Sequence, residues 1–300
     1  MEEFKSGFVS LVGRTNVGKS TLLNSLAKEK IAIIANKVQT TRTAIKAILN
    51  DDNYQIIIID TPGIHKPKTK LGNTMVETAF TMFSEVDVIL FLIEATSTEI
   101  GRGDRRILDK IIESKKPCIL VINKIDLVEK EKLLNLIDIY RKEYDFKSVI
   151  PISASHDDGT QNIIDELLKL LPNGSKYYAD DEYTDQTMRQ IAEEIIREKA
   201  LKLLDDEVPH GIYVEVEKFK DRKTTKHEDI YDIDATIYCI RESQKGIIIG
   251  KHGNLLKRIA TYARQDLEKM LETKVNLKVW VKVKEDWQEQ DSIVNKFKLK

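Results

Sequence analysis

The sequence predicts an α/β domain with a doubly wound, mostly parallel sheet, followed by a smaller α+β domain. Three observations support this prediction. Short apolar runs alternate with longer amphipathic runs over the first half of the chain, as in folds built from strands and crossover helices. A polar, acidic stretch follows Pro172. Beyond that stretch, the order of candidate elements becomes helix, strand, strand, helix, helix, strand.

The first domain is predicted to span residues 1–172. Several of its strand candidates are continuously apolar, which is typical of parallel strands that are covered on both faces. The run NDDN after the second candidate favours a turn, so the second and third strands are expected to be antiparallel. The strand candidates cover 8–12, 43–49, 54–60, 86–95, 117–123 and 148–153, and the helix candidates lie near 19–28, 72–84, 103–114, 130–143 and 160–171.

The second domain is predicted to span 185–285, after a linker at 173–184 that begins with helix-ending residues. The tail, 286–300, is expected to be either a short helix or disordered. The candidate elements are an amphipathic helix at about 185–205, strands at 211–219 and 230–240, the run GIIIGKHG at 246–253, a basic helix at about 254–271 and a strand at 276–284.

Composition limits the class of protein. The 300 residues are enough for roughly two domains. A formal net charge of -1 argues against a uniformly basic nucleic-acid coat but allows a local basic face. No apolar run approaches the roughly 18 residues that span a bilayer, and the N-terminus lacks a signal-peptide pattern, so we expect a cytoplasmic protein. Cys118 and Cys239 are predicted to be buried free thiols, and the five histidines show no zinc-ligand spacing.

A glycine-rich loop, GRTNVGKS at 13–20, lies between the first strand and the first helix. We call it the phosphate loop, because it matches the pattern G-x-x-x-x-G-K-[ST] in the expected context. Glycines let the backbone curl so that successive N–H groups point at an anion, and the helix that follows adds its N-terminal dipole. Lys19 is predicted to reach the outer phosphates of a nucleotide, and the Ser20 hydroxyl is predicted to bind Mg²⁺.

The run NKID at 123–126, the guanine loop, follows an apolar strand at the edge where ligands bind in open α/β sheets. The Asp126 carboxylate can accept hydrogen bonds from both the N1–H and the amino group of guanine. Adenine lacks this pair of donors, and such a site rejects it by about 10⁴-fold. Asn123 is expected to tie the loop to the phosphate loop, and the stem of Lys124 to cover the base. SAS at 153–155, the SAS loop, can offer a backbone N–H to the guanine O6.

Two further loops are expected to be ordered when the γ-phosphate of a nucleotide is present. DTPG at 60–63 ends a strand, where Asp60 is predicted to hold Mg²⁺ through water and the Gly63 N–H to contact the γ-phosphate. QTTRT at 39–43 lies between the first helix and the next strand. Thr41, with Thr40 as the alternative, is predicted to bind Mg²⁺ when the γ-phosphate is present and to be released on hydrolysis.

Taken in order, GRTNVGKS, TTR, DTPG, NKID and SAS resemble the motifs of the translation-factor-like P-loop GTPases over about the first 170 residues. The resemblance implies a GTPase domain that takes GTP or GDP with Mg²⁺ as cofactor. The residues predicted to be catalytic are Lys19, Thr41 and Gly63. The predicted nucleotide-binding residues are Gly13, Arg14, Thr15, Asn16, Val17, Gly18, Lys19, Ser20, Thr21, Asp60, Thr61, Pro62, Gly63, Ile64, Asn123, Lys124, Ile125, Asp126, Ser153, Ala154 and Ser155.

Intrinsic hydrolysis is expected to be slow. In many GTPases a glutamine directly after D-x-x-G orients the attacking water, whereas this chain has Ile64 there. We interpret the next residue, His65, as a mobile switch residue rather than a base. Asn16 resembles the asparagine of the potassium-activated GTPases, in which a monovalent cation supplies positive charge. Asn16 is therefore a candidate K⁺ ligand, and a hydrogen bond within the loop is the alternative role.

A second candidate site lies in the C-terminal domain. Residues 250–253 fit the pattern G-x-x-G between two helices, a loop that clamps about four nucleotides of single-stranded RNA. Ten lysines and arginines but only three acidic residues occur over 245–284, which favours phosphate contacts. The element order and the flanks EVPHG and VKVKEDW resemble the type II KH domain. The predicted RNA-binding residues are Ile249, Gly250, Lys251, His252, Gly253, Lys257 and Arg258.

The whole chain resembles the Era family of bacterial ribosome-assembly GTPases, which combine one GTPase domain with one KH domain. The resemblance implies binding near the 3′ end of small-subunit ribosomal RNA, a role in late assembly on a precursor of that subunit, and weak association with the inner face of the cell membrane; no DNA partner is expected. One departure is Val38, where the family usually has proline. The alternative is an NTPase whose C-terminal domain serves dimerisation or protein contact.

Overall fold

The computed structural model describes residues 3–35, 40–64, 67–205, 207–223, 225 and 228–297. The chain divides into two compact units. The first unit contains Met1–Ala32, Val38–Asp185 and Val294–Lys300, and the second contains Ile33–Lys37 and Gln186–Ile293. The predicted fold class is confirmed, because a mostly parallel six-stranded sheet in the first unit is followed by a smaller three-stranded α+β unit.

The first unit is built on a sheet with the strand order β2-β3-β1-β4-β5-β6. All neighbouring strands are parallel except β2 and β3, which form the predicted antiparallel hairpin. The strands are β1 (Lys5–Val12), β2 (Ile45–Asn50), β3 (Tyr54–Asp60), β4 (Val88–Glu94), β5 (Cys118–Asn123) and β6 (Ser148–Pro151). The helices are α1 (Lys19–Ala27), α2 (Lys70–Glu85), α3 (Arg102–Ser114), α4 (Lys130–Arg141) and α5 (Thr160–Leu170).

Both faces of this sheet are buried, which explains why its strands are apolar without alternation. In β4, Leu90 points into a core shared with α1 and α5, whereas the next residue, Phe91, packs into a core shared with α2, α3 and α4. Because β1, β3, β4, β5 and β6 run in the same direction, their carboxyl ends lie at one edge of the sheet. The loops that follow β1, β3, β5 and β6 at this edge carry the predicted nucleotide motifs.

The segment predicted as a linker is fastened to the first unit. We call residues 173–185 the connecting segment. The side chain of Gln55, fully buried, accepts from the Tyr177 and Tyr178 N–H groups and donates to the Tyr178 carbonyl. The Ile48 N–H of the edge strand β2 donates to the Tyr183 carbonyl at 3.0 Å. The connecting segment therefore covers part of the outer edge of the sheet.

The second unit places three helices on one face of the sheet β7-β8-β9, in which β7 and β8 are antiparallel and β8 and β9 are parallel. Side chains such as Ile196, Ile237, Ile248 and Ile259 form its core. The elements are α6 (Met188–Leu203), β7 (Tyr213–Lys223), β8 (Asp229–Cys239), α7 (Glu242–Ile249), α8 (Asn254–Leu271) and β9 (Lys274–Val283).

Strand β7 continues four residues beyond its predicted end. The extension is charged and exposed, so apolar patterning could not indicate it. Asp232 on β8 pairs across the hairpin with Lys218 at 3.4 Å and with Arg222 at 2.8 Å. The arginine and further hydrogen bonds hold the pKa of the Asp232 carboxyl well below its usual range. Opposite charges on facing strands stabilise the ladder where no core is available.

The tail begins with ordered structure. The buried Trp287 donates its indole N–H to the Gly211 carbonyl at 2.9 Å, which joins the VKVKEDW flank to the EVPHG flank. A single turn of helix, α9 (Asp291–Val294), follows. Cys118 and Cys239 are both free and buried, as predicted. Within the described part of the chain, no helix combines the length and the apolar composition that crossing a bilayer requires.

Candidate functional site

The phosphate loop joins β1 to α1, and there is no space for a side chain at either of its two glycines. A Cβ on Gly13 would lie 2.3 Å from the Leu92 carbonyl oxygen of the neighbouring strand. Gly18 has φ +102° and caps α1, and a Cβ there would lie 2.2 Å from the Asn123 amide nitrogen. The loop is thus held against β4 on one side and the guanine loop on the other, which keeps its N–H groups in place for an anion.

The Lys19 side chain is hydrogen-bonded to the backbone of the phosphate loop. Its ammonium donates to the carbonyls of Gly13 at 3.0 Å and Arg14 at 2.9 Å. Burial lowers the pKa of Lys19 to about 8, although the charge of Asp60 opposes this shift. Both of these partners are neutral carbonyls, and the buried ammonium is poised to exchange them for phosphate oxygens, because an anion compensates a buried cation far better than a neutral oxygen does.

Three oxygen-bearing side chains converge beside Lys19. The hydroxyls of Ser20 and Thr41 lie 3.0 Å apart and donate to the same carboxylate oxygen of Asp60, at 3.0 and 3.1 Å. Burial raises the pKa of the Asp60 carboxyl, and the Lys19 charge opposes the shift. The geometry favours Thr41 over Thr40 as the predicted switch threonine.

The DTPG loop packs directly on the phosphate loop. The Ile64 N–H donates to the Gly13 carbonyl at 3.2 Å, and a Cβ on Gly63 would lie 2.7 Å from the Thr15 methyl group. Ile64 is 2% exposed, so its apolar side chain belongs to the core and does not point toward a reacting water. His65 and Val38, on which two further sequence predictions depend, lie outside the described residues.

Asn123, in the guanine loop, contacts two other loops. The sequence predicts its contact with the phosphate loop but not its contact with the SAS loop. Its amide donates to the Val17 carbonyl of the phosphate loop at 2.9 Å and accepts from the Ala154 N–H of the SAS loop at 3.0 Å. The next residue, Lys124, has φ +65° and donates its ammonium to the Asn16 carbonyl at 2.9 Å. The guanine loop and the phosphate loop are thereby joined through both residues.

The carboxylate predicted to select guanine is held by the SAS loop. Asp126 accepts a hydrogen bond of 2.5 Å from the Ser153 hydroxyl, which is the main cause of the low pKa of this carboxyl. The Ser153 hydroxyl also lies 2.9 Å from Nδ1 of His156, and the Ser155 hydroxyl lies 3.2 Å from it. Sequence reasoning missed His156, although its position directly after SAS was a usable signal.

In the second unit, the GxxG loop (250–253) joins α7 to α8. Gly250 has φ +73° and ψ 174°, a conformation that is essentially restricted to glycine, and Gly253 has φ +75° and begins α8. His252 also has a positive φ of 53°. Apart from the adjoining backbone, no atom of the described residues lies within 4 Å of a Cβ built on Gly253. The loop therefore presents backbone and open space at the N-terminus of a helix, which suits a phosphate.

The cations around the GxxG loop fall into two groups. Several members of the predicted basic patch are neutralised within the unit, for example Arg264 by Glu268 at 2.8 Å and Lys274 by Glu228 at 2.6 Å. Lys251, Lys257 and Arg258 are exposed and form no ion pair with any residue that the structure describes. The predicted Ile249 is half-buried beside the loop, whereas its neighbour Ile248 is buried in the core.

Comparison with known proteins finds a GTPase family and a KH-domain family in this chain. A family model described as a 50S ribosome-binding GTPase matches residues 8–124, and a KH-domain model matches residues 207–288. GTPase Era of Ruminiclostridium cellulolyticum is 52% identical over 97% of this chain and 96% of its own length. The chain belongs to the Era family of GTPases. GTPase Era of Clostridioides difficile is 50% identical over 98% of both chains.

Two solved Era structures have the same fold as this family member. A crystal structure of Era with MgGDPNP and nucleotides 1506–1542 of 16S ribosomal RNA is 41% identical, with a TM-score of 0.93 over 98% of both chains. A variant of Aquifex aeolicus Era bound to GDP·AlF4⁻ is 41% identical, also with a TM-score of 0.93, over 98% of this chain and 99% of its own. The sequence-based assignment to the Era family and to the GTPases is confirmed.

Sequence reasoning also missed contacts behind the nucleotide loops of this Era-family chain. Arg14 lies 3.0 Å from the buried carboxylate of Asp104, at the start of α3. Glu94, the last residue of β4, lies 2.8 Å from the Lys124 ammonium. No local sequence pattern predicts these pairs, because the partners are 30 to 90 positions apart.

Proposed function

We propose that this Era-family GTPase is a molecular switch that binds the 3′ end of small-subunit ribosomal RNA and acts late in assembly of the small subunit. The observation that carries the proposal is the presence, in one chain, of a guanine loop tied to a phosphate loop and of a GxxG loop with exposed cations. The solved Era complex with 16S ribosomal RNA supports the same assignment, since its similarity covers the whole chain.

RNA is expected to bind at the GxxG loop through backbone and charge. The open space at Gly253 admits a phosphate to the N-terminus of α8, and the exposed side chains of Lys251, Lys257 and Arg258 supply positive charge. The half-buried Ile249 lies beside the loop, where it can contact a base. The remaining partner, a precursor of the small subunit, is proposed from the family resemblance.

The first unit has the donors that Mg²⁺ prefers. The second carboxylate oxygen of Asp60 is buried and, among the described residues, has no hydrogen-bond partner. Together with the Ser20 and Thr41 hydroxyls it forms a set of hard oxygen donors that fits Mg²⁺. Bound there with a nucleotide, the ion would neutralise charge on the β- and γ-phosphates. Ser20 and Thr41 would hold it directly, and Asp60 through water.

The residues proposed to act in hydrolysis stabilise charge rather than transfer protons. Lys19 would neutralise the outer phosphates, the Gly63 N–H would bind the γ-phosphate, and Thr41 would connect its own loop to the metal site. Ile64 cannot orient water, and we propose slow intrinsic turnover for this reason. The family resemblance alone supports a cytoplasmic location with weak association at the inner face of the membrane.

We propose that K⁺ accelerates hydrolysis through Asn16. The Asn16 side chain is exposed at a turn with φ +66°, and its carbonyl is already used by Lys124. Hydrolysis is expected to be at least tenfold faster in KCl than in NaCl, because a cation of the right size adds positive charge at the developing oxyanion. Steady-state phosphate release in each salt measures this ratio. Equal rates in both salts would rule the cation out, and an unchanged ratio in Asn16→Ala would rule out Asn16 as its ligand.

RNA binding is tested with fluorescence anisotropy on the full chain. The probe is a labelled oligoribonucleotide that copies the 3′ end of small-subunit ribosomal RNA, and the control is a shuffled oligoribonucleotide of the same composition. We expect the native sequence to bind at least tenfold more tightly than the shuffled one, and more tightly with a non-hydrolysable GTP analogue than with GDP. No RNA binding at low salt would instead favour a C-terminal domain for dimerisation or protein contact.

A further inference from the structure

A carboxylate that belongs to neither nucleotide motif lies between them. Glu94 is the last residue of β4 and is directly opposite Asn123 in the register of β4 and β5. The Ala95 N–H donates to the Asn123 carbonyl at 2.8 Å, which extends the pairing one residue further. Glu94 is thus placed by the sheet itself beside the guanine loop.

The two carboxylate oxygens of Glu94 contact cations from two different loops. One oxygen lies 2.8 Å from the ammonium of Lys124 in the guanine loop, and the other lies 3.5 Å from the guanidinium of Arg14 in the phosphate loop. The same Lys124 ammonium donates to the Asn16 carbonyl at 2.9 Å. Glu94 therefore completes a closed set of contacts that joins both loops.

Arg14 is held on its other side by the start of α3. Its Nε–H donates to the Asp104 carboxylate at 3.1 Å, and a terminal N–H donates to the Ser97 hydroxyl at 3.4 Å. Asp104 is fully buried. Burial raises the pKa of its carboxyl, and the Arg14 charge opposes that rise. The guanidinium is thus anchored by a buried group, so the contact with Glu94 is made from a fixed position.

We propose that Glu94 is a positioning residue that holds the phosphate loop and the guanine loop in register and thereby lengthens the residence time of the bound nucleotide. This inference rests on the proposed nucleotide site. Lys124 is expected to cover the base, and the Arg14 carbonyl is one of the partners of Lys19. When the charge of Glu94 is removed, the hydrogen-bond partner that remains to Lys124 among the described residues is the neutral Asn16 carbonyl, and the two loops lose their shared anion.

The test is the dissociation rate of a fluorescent GDP from the full-length protein, measured by chasing with excess GTP. Glu94→Gln, which keeps the shape of the side chain, is expected to release GDP about tenfold faster, since two half-exposed ion pairs are lost together. The matched control is Glu99→Gln, an exposed acidic residue five positions further along the same connection, which is expected to release GDP at the wild-type rate.

A double-mutant cycle separates positioning from general loosening. If Glu94 acts through Lys124, then Lys124→Met should accelerate release much less in the Glu94→Gln background than in the wild type. Multiplicative effects, a Glu94→Gln rate within twofold of wild type, or an equal effect of Glu99→Gln would each overturn the inference. A wild-type chain that fails to retain GDP would refute the proposed nucleotide site instead, so the two failures are distinguishable.

Discussion

Asp126→Asn is expected to weaken GTP binding by about 10³- to 10⁴-fold and to create binding of xanthosine triphosphate. The Asp126 carboxylate is kept ionised by the hydrogen bond from Ser153, so it can accept from both guanine donors. An asparagine amide can accept from N1–H but opposes the guanine amino group with a donor of its own, and the mismatched polar groups carry the loss. Xanthine has a carbonyl at that position and restores the pairing.

Isothermal titration of the full-length variant with GTP, xanthosine triphosphate and ATP measures this change. Asp158→Asn provides the matched control, because Asp158 is an exposed acidic side chain only a few residues beyond the SAS loop. We expect the control to keep the wild-type preference for GTP. If Asp126→Asn binds GTP as tightly as the wild type does, Asp126 is not the residue that selects the base.

Gly250→Asp is expected to weaken RNA binding on the order of 100-fold. A Cβ at this position would lie 2.7 Å from the Leu255 Cβ, and φ +73° with ψ 174° is strained for any other residue. The new carboxylate would also stand where phosphates are proposed to approach, and like charges at an interface cost several kcal/mol. Anisotropy with the labelled ribosomal oligoribonucleotide gives the affinity, and GDP affinity measured alongside shows that the nucleotide site of the first unit is intact.

A second variant separates charge from backbone strain. Lys251→Glu leaves the glycines of the GxxG loop intact and is expected to weaken RNA binding at least tenfold and to make the affinity fall less steeply with salt, because fewer counterions are released on binding. Lys220→Glu makes the same charge change on the exposed part of β7 and serves as its control. Equal RNA affinity of the Lys251 and Lys220 variants would show that the GxxG loop is not the contact with RNA.

The fold of the first unit could be predicted because its strands are buried on both faces. Leu90 and Phe91 are adjacent in sequence and enter opposite cores, so an uninterrupted apolar run indicated a central parallel strand. The nucleotide loops could be located because each is a short contiguous motif at the end of such a strand. The sequence does not distinguish Thr40 from Thr41, because the two threonines are adjacent. In the structure, the Thr41 hydroxyl donates a hydrogen bond to Asp60.

Other features could not be predicted because polar groups hold them. The connecting segment has no apolar pattern, and it is ordered by hydrogen bonds to Gln55 and by strand pairing with Ile48. The extension of β7 is held by ion pairs to Asp232 across a hairpin. The contacts of Glu94 join residues far apart in sequence. In each case the stabilising partner lies elsewhere along the chain, so the local periodicity of the sequence does not predict the contact.

The fastening of residues 173–185 determines where the protein can be divided for separate production of its halves. A fragment cut after Leu171 would uncover the outer edge of β2 and leave the buried side-chain carbonyl of Gln55 without its two N–H donors from Tyr177 and Tyr178, and an uncovered edge strand favours self-association. A fragment that continues through Asp185 would retain both. The chain is therefore best divided between Asp185 and Thr187, the N-cap of α6. Pro172, after which the polar stretch begins, is a poorer dividing point.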